Sequence, residues 1–358
     1  MKEGGLKCTD KEQLDKQKGV LMEIIKQVAK NLFKKEGLIR MSLPVRIFEG
    51  RSTLERITDN WRFAPVFLEK AARLSDRLER FKLVVTYAVS GMYCSAHQLK
   101  PFNPILGETF EGNFPDGTKI FIEHTSHHPP VSNFYVESRN YRITGFYEFI
   151  VKMGANNVKG HQCGPNVIRF NDGQTIVFNY PRIKLGGTVA GDRTANYVGE
   201  MFFEDKDLRC KCALFFDFGK KKGIMGSRKK GTKRDQFKGL LYYNTPGVVI
   251  PKKILKLKDV KDIDREIAPV EGSWLENLKI GSMEYWNIDR YEPVNVGYSK
   301  NPLPSDWRYR EDLLWLRKKN IPFADAWKVK LEVQQRKDRA GRQKFEKEQK
   351  KLAKKTRP

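Results

Sequence analysis

Glu123-His124-Thr125-Ser126-His127-His128-Pro129-Pro130 is the stretch on which the reading of this chain turns. It holds three of the five histidines, two of them adjacent and set directly before a double proline. Paired prolines lack two backbone donors and force the residue before them into extended geometry. Upstream, Lys119-Ile120-Phe121-Ile122-Glu123 alternates polar and apolar residues, the period of a half-buried strand. His127 and His128 are therefore expected on a stiff, non-helical segment where a strand ends. Taken alone, such a pair is more simply explained as hydrogen-bonded filler, and its meaning depends on the company it keeps.

The totals set the limits. A chain of 358 residues, 39% apolar with 22 Phe and 13 Tyr, can bury a sizeable core as one large domain or two modest ones. No apolar run approaches the roughly 18 residues that a membrane span needs. The first 18 residues are charged throughout, without the apolar core of a secretory signal. Cys8, Cys94, Cys163, Cys210 and Cys212 are odd in number and lack Cys-x-x-Cys spacing. Cys210 and Cys212 would share one strand face, too few ligands for zinc. The expectation is a cytoplasmic protein with reduced thiols, no metal and no cofactor. Its formal charge of +25 draws it toward polyanions, either nucleic acid or an anionic membrane leaflet.

Along the chain, residues 1–18 read as a solvated tail. Val20, Leu21, Ile24, Ile25, Val28, Ala29, Leu32 and Phe33 then form a helical stripe, with Lys26, Lys30, Lys34 and Lys35 opposite. This is either a surface helix packed on the core or a lid able to lie on an anionic membrane. Helices are expected over 53–69, kinked or split by Pro65, and over 74–92. Lys100-Pro101-Phe102-Asn103-Pro104-Ile105-Leu106-Gly107-Glu108 has too many prolines and glycines for a helix and reads as a rigid loop. From 109 to about 247 the texture is all strand, with Pro115-Asp116-Gly117 and Asn171-Asp172-Gly173 as turns. Strands so numerous suggest a meander closing into a barrel, whose apolar inner face would leave a cavity for a greasy ligand. The basic segment 219–239 has no aromatic before Phe237 and so lacks the stacking surface of a single-strand binder. No nucleic-acid partner is expected. Near the end, Lys328, Glu332 and Arg336 stand four apart on a charged helix, forming one stripe roughly 12 Å long. By itself that is an ordinary salt-bridge ladder.

Three of these stretches together resemble the signatures of the oxysterol-binding-protein-related lipid-transfer family. Glu123, Ser126, His127, His128, Pro129 and Pro130 match its Glu-x-x-Ser-His-His-Pro-Pro, with His124 and Thr125 where Gln-Val is usual. Lys100 to Glu108 matches Lys-Pro-x-Asn-Pro-x-x-Gly-Glu at every fixed position. Leu331-Glu332-x-x-Gln335-Arg336, with Lys328 four before the glutamate, matches the third. The resemblance spans about residues 19 to 340. It implies an α+β, mostly β fold: a large incomplete antiparallel barrel with a central apolar tunnel, an N-terminal amphipathic lid helix and flanking helical segments. Within one lipid-binding domain, 19–340, it implies a lid over about 19–44 and a helical part over about 45–99. The barrel would follow over about 100–290 and a C-terminal helical part over about 291–340. A basic tail, 341–358, follows.

The resemblance also implies the chemistry. Lys100, Asn103, His127, His128, Lys328, Glu332 and Arg336 would converge on the headgroup of phosphatidylinositol 4-phosphate. Arginine grips phosphate bidentately, lysine acts as a point charge, and imidazole donates or becomes cationic. Leu38, Ile39, Arg40, Met41, Ser42 and Leu43 would lie against the lipid under the lid. A sterol or phosphatidylserine would be the exchanged cargo, carried by a monomer in transient contact with anionic membranes, with no enzymatic step. A sensor that reports lipid without carrying it needs the same pocket. Gly50 departs from the family's usual proline, and a short form without the targeting domains of longer members is expected. The two-phenylalanine tract over 200–205 resembles an adaptor-binding motif but falls within a run of strands. One enzymatic rival exists: Cys163-x5-Arg169 has the spacing of a thiolate phosphatase, which also requires a helix N-terminus after the loop.

Overall fold

The structure, a computed structural model, describes residues 4–17, 43–97, 99–219, 228–248, 254 and 256–355. The amphipathic stripe at 20–33, the lid contacts Leu38 to Ser42 and positions 220–227 of the basic loop lie outside the described residues. Among the described residues, sixteen strands form one antiparallel sheet. Its order follows the chain closely, from Thr109–Asn113 through Lys119–His127, Pro130–Glu137 and Tyr141–Gly154 and onward to Met283–Asn287. Short Gly297–Tyr298 pairs on the outer side of Thr109–Asn113, and among the described residues no pairing joins it to Met283–Asn287. The result is a large, incomplete barrel, mostly β with a few helices. Both expected turns are present. Asp116 and Asp172 accept from the amides two residues on, and Gly117 and Gly173 take the left-handed backbone that closes each hairpin.

The helical part precedes the barrel. Ser52 caps Thr53–Ile57, and Pro65 sits in the first turn of a new helix, Ala64–Ala72. The expected single helix is therefore split at the proline, which is tolerated only where its missing N–H has no partner to lose. Asp76 caps the next helix, Arg77–Ser95, accepting from the amides of Leu78 and Glu79. Phe81, Val84, Val85, Ala88, Val89 and Met92 on it are wholly buried. They meet the sheet through edge contacts such as Phe81 with Phe203 and Tyr87 with Phe178. Phe203 itself is buried and stacked on Phe178 at 5.1 Å, so the tract over 200–205 belongs to the strand Thr194–Asp205 and its core.

Residues 4–8 depart from the solvated tail that their composition suggests. Leu6–Lys7 pairs with Ala195 and Thr194, the Gly5 amide donates to Asp235, and Cys8 is buried. Main-chain pairing, which leaves no side-chain periodicity in two residues, docks this piece. At the other end, one helix runs continuously over Ile321–Lys355. Asp325 on it accepts from the Val45 amide at 2.8 Å, fixing the helix beside the start of the described core.

Candidate functional site

The histidine segment ends the strand Lys119–His127, and His128-Pro129 forms the turn into Pro130–Glu137. The pairing register shifts between His124 and Ser126, leaving Thr125 as a bulge. Along a regular strand, residues three apart point to opposite faces; one extra residue brings them to the same face. His124 and His127 therefore meet. His124 Nε2 lies 3.1 Å from His127 Nδ1, and His124 Nδ1 lies 3.0 Å from Ser132 Oγ. The rings of His127 and His128 stand edge to face at 4.9 Å. Burial, reinforced by His127, lowers His124 to a pKa of about 3. Burial, then His128, Arg339 and Arg342, lowers His127 to about 4. Both are neutral near pH 7, so His127 acts through its hydrogen atom and not through charge. Two directions of the chain are possible for neutral rings. If Ser132 donates to His124 and His124 to His127, the Nε2–H of His127 is left to donate, which is the direction an anion selects.

The loop that begins at Lys100 is held by a buried ionic lock. Lys100–Phe102 pairs parallel with Phe48–Ser52. The Glu108 carboxylate accepts from Ser52 Oγ, from the Ile105 amide at 3.0 Å and from Arg310 at 2.8 Å. Arg310 also donates to the Asn103 carbonyl at 2.7 Å and pairs with Asp312 at 2.8 Å. The Gly107 amide donates to the His124 carbonyl, which ties the loop to the histidine strand. Burial pushes Glu108 up, with Arg310 pulling the other way. The final Gly-Glu of the motif is thus the anchor that aims its first lysine.

From the long helix, Lys328 pairs with Glu332, and its ammonium lies 5.3 Å from the Phe48 ring centre. Lys100 lies 4.9 Å from the same ring and donates to the Asn103 side chain at 2.6 Å. Two cations share one aromatic ring. Burial, then Lys328, lowers Lys100 to about 8. A cavity of about 800 Å³ opens among these groups, walled by Asn103, His127, His128, Lys328, Glu332 and Arg336. Six of the seven expected headgroup residues therefore line one space, and Lys100 is not among its lining but touches Phe48 and Asn103, which are. Leu43, the described member of the expected lid contacts, packs on the core.

Sequence reasoning missed several groups. Arg310, Gln335, Arg339 and Arg342 also line the cavity. Glu332 Oε2 and Gln335 Nε2 are buried there with no hydrogen-bond partner among the described residues. An acceptor and a donor left bare in a buried wall are costly unless a ligand meets them. Gln335 sat inside the third motif and its helical spacing from Glu332 was the available signal; Arg310 gave none. Phe48, Phe102, Ile105, Leu106 and Leu331 add an apolar side to the same cavity.

Cys163 does not fit the thiolate role. Burial raises its pKa, and its Sγ lies 3.0 Å from His161 Nδ1. Asn166–Phe170 continues as a strand that carries Arg169 into the next hairpin, where the phosphatase design needs a helix N-terminus.

Residues 23–356 match the family model described as oxysterol-binding protein. The chain is 35% identical over 343 residues to oxysterol-binding protein 9 of Dictyostelium discoideum, covering 94% of this chain and 78% of that protein. It is 26% identical over 327 residues to oxysterol-binding protein-related protein 7 of Homo sapiens, covering 84% of this chain and 36% of that one. Among solved structures it resembles the Osh3 ORD of Saccharomyces cerevisiae in complex with PI(4)P. There the TM-score is 0.70 and the identity 23%, covering 89% of this chain and 84% of that one. It also resembles the Osh1 ORD domain in complex with ergosterol, with a TM-score of 0.67, 20% identity and coverage of 86% and 77%. At these identities the structural likeness speaks for the fold.

Proposed function

Because this chain belongs to the oxysterol-binding protein family, we propose that it is a non-enzymatic carrier of phosphatidylinositol 4-phosphate. Its cavity holds the phosphorylated headgroup, and the acyl chains extend along the apolar wall into the barrel. A sterol or phosphatidylserine takes the same space on the return journey. The protein works as a monomer at the cytoplasmic faces of anionic membranes.

One observation carries this reading. Segments about 200 residues apart supply His127, His128, Lys328, Arg336 and the bare Glu332 and Gln335 atoms to one cavity. Donors and cations surround the place for a phosphate, while Glu332 Oε2 is an acceptor suited to inositol hydroxyls. Lys100 supports it too: a lysine crowded by a second cation gains from an anion held close by.

Transfer from donor vesicles carrying labelled phosphatidylinositol 4-phosphate to unlabelled acceptors tests the function, together with mass spectrometry of lipids that co-purify from cells. Catalytic amounts of protein should move the label, and faster when acceptors contain the counter-lipid. Stoichiometric extraction without turnover would leave a lipid sensor; no extraction would remove the proposal.

A further inference from the structure

The strand Tyr141–Gly154 outruns its neighbour. Its pairing with Pro130–Glu137 ends with Val131 opposite Glu148, while His127 stands opposite Pro130 across the histidine turn. Six more residues follow Glu148, about 20 Å of strand at about 3.3 Å per residue. They run past the turn that carries His127 and His128. The ribbon thus projects from the end of the sheet where the cavity is built. Asn157–Cys163 returns beside it, and Arg182–Gly186 pairs on the far side.

The tip of this ribbon is apolar and exposed: Val151 is 65% accessible, Met153 61% and Val189 51%. It is also braced. Asn156 Oδ1 accepts from the amides of Val189 and Ala190 at 2.7 and 3.1 Å, and its Nδ2 donates to the Ala190 carbonyl at 2.8 Å. Met153, Val158 and Leu185 form one cross-strand row, and directly behind it Lys152, Lys159 and Lys184 form the next. Like charges in register across strands repel one another, so the sheet gains nothing from the Lys152–Lys159 pair. An anionic surface would gain from it. Residues 149–163 contain no Asp or Glu, and nearby Asp192 is paired with Lys7 at 2.8 Å.

We infer that this ribbon is a membrane-docking tip. Its apolar end enters the headgroup layer of an anionic bilayer, and the lysine row one residue behind meets the lipid phosphates. Docked this way, the end of the barrel that holds the histidine turn faces the membrane. The surface lies outside the cavity, and the inference rests on the carrier reading only for its purpose. A protein partner or a second copy could cover Val151 and Met153, but neither explains a registered row of lysines.

Co-sedimentation of the full chain with vesicles tests it, comparing phosphatidylcholine alone with phosphatidylcholine containing phosphatidylserine. The paired variants are Lys152→Glu with Lys159→Glu, and Val151→Asp with Met153→Asp, all at exposed positions. Each pair should weaken partition onto phosphatidylserine vesicles at least about tenfold. Each should leave binding of soluble glycerophosphoinositol 4-phosphate unchanged, which also reports the fold. Unchanged partition in both pairs overturns the inference. So does a wild-type dimer that the aspartate pair dissociates in sedimentation velocity, since the tip would then belong to a second copy. Headgroup binding by the wild type is read separately, so failure of the carrier reading and failure of the docking tip give different results.

Discussion

Lys100 makes headgroup binding depend on pH in a direction that the geometry determines. In the free protein burial and the nearby Lys328 ammonium hold Lys100 at about 8, against an ordinary lysine value of 10.5. A phosphate held in the cavity near both cations favours the charged form and raises that value again. Binding therefore takes up a proton once the pH exceeds the free value. Affinity is full below about pH 8 and falls as pH rises, by up to about tenfold, or about 1.4 kcal/mol, per unit. The cavity opens to water, so screening trims the effect, and a fall of about five- to tenfold between pH 7 and pH 9 is expected. The imidazoles do not blur this window, since His127 titrates near 4 and burial also lowers His128. The ligand's phosphate monoester has its second pKa near 6 and is already a dianion. Isothermal titration calorimetry with glycerophosphoinositol 4-phosphate, in two buffers of different ionisation enthalpy, measures both affinity and proton uptake. Lys100→Arg should flatten the profile, because its guanidinium stays charged. A flat wild-type profile over this range, or the same slope in the arginine variant, would refute the reasoning.

Other outcomes follow from the same contacts. Arg310→Leu leaves Glu108 and Asp312 buried without their counter-charge and should destabilise the fold by about 3–5 kcal/mol in urea titration. A loss under about 1 kcal/mol would mean the lock is not structural. His124→Leu removes the donor to His127 Nδ1 and should weaken headgroup binding about five- to tenfold, near 1 kcal/mol. His124→Gln, able to accept from Ser132 and donate to His127, should restore most of it. Nitrogen-15 shifts of the His127 ring should show Nε2 protonated in the wild type and the glutamine variant; the Nδ1-protonated form would contradict the relay.

Much of this molecule could be read before its fold was known. Alternation of polar and apolar residues marked the strands, and the Asp-Gly turns marked where they reverse. Pro129 and Pro130 placed the histidines at a strand end, and helical spacing aligned Lys328, Glu332 and Arg336. Other features had no local signature. Arg310 lies among charged residues and looks like surface, because its burial depends on Glu108, some 200 residues earlier. His124 looked like a replacement in a motif, since nothing in the sequence marks Thr125 as the bulge that turns it toward His127. The docking of residues 4–8 rests on backbone pairing, which composition does not encode. Arg342 seemed to belong to a basic tail, whereas the helix carries it, together with Arg339, along the cavity wall.

The account rests on a rigid histidine turn and a distant cationic helix gripping one phosphorylated headgroup. Extraction of phosphatidylinositol 4-phosphate from liposomes, comparing the wild type with His127→Ala/His128→Ala, tests that most directly. The account predicts that the wild type removes the lipid and that the double variant, folded to the same melting temperature, loses nearly all extraction. Equal extraction by both proteins would contradict it.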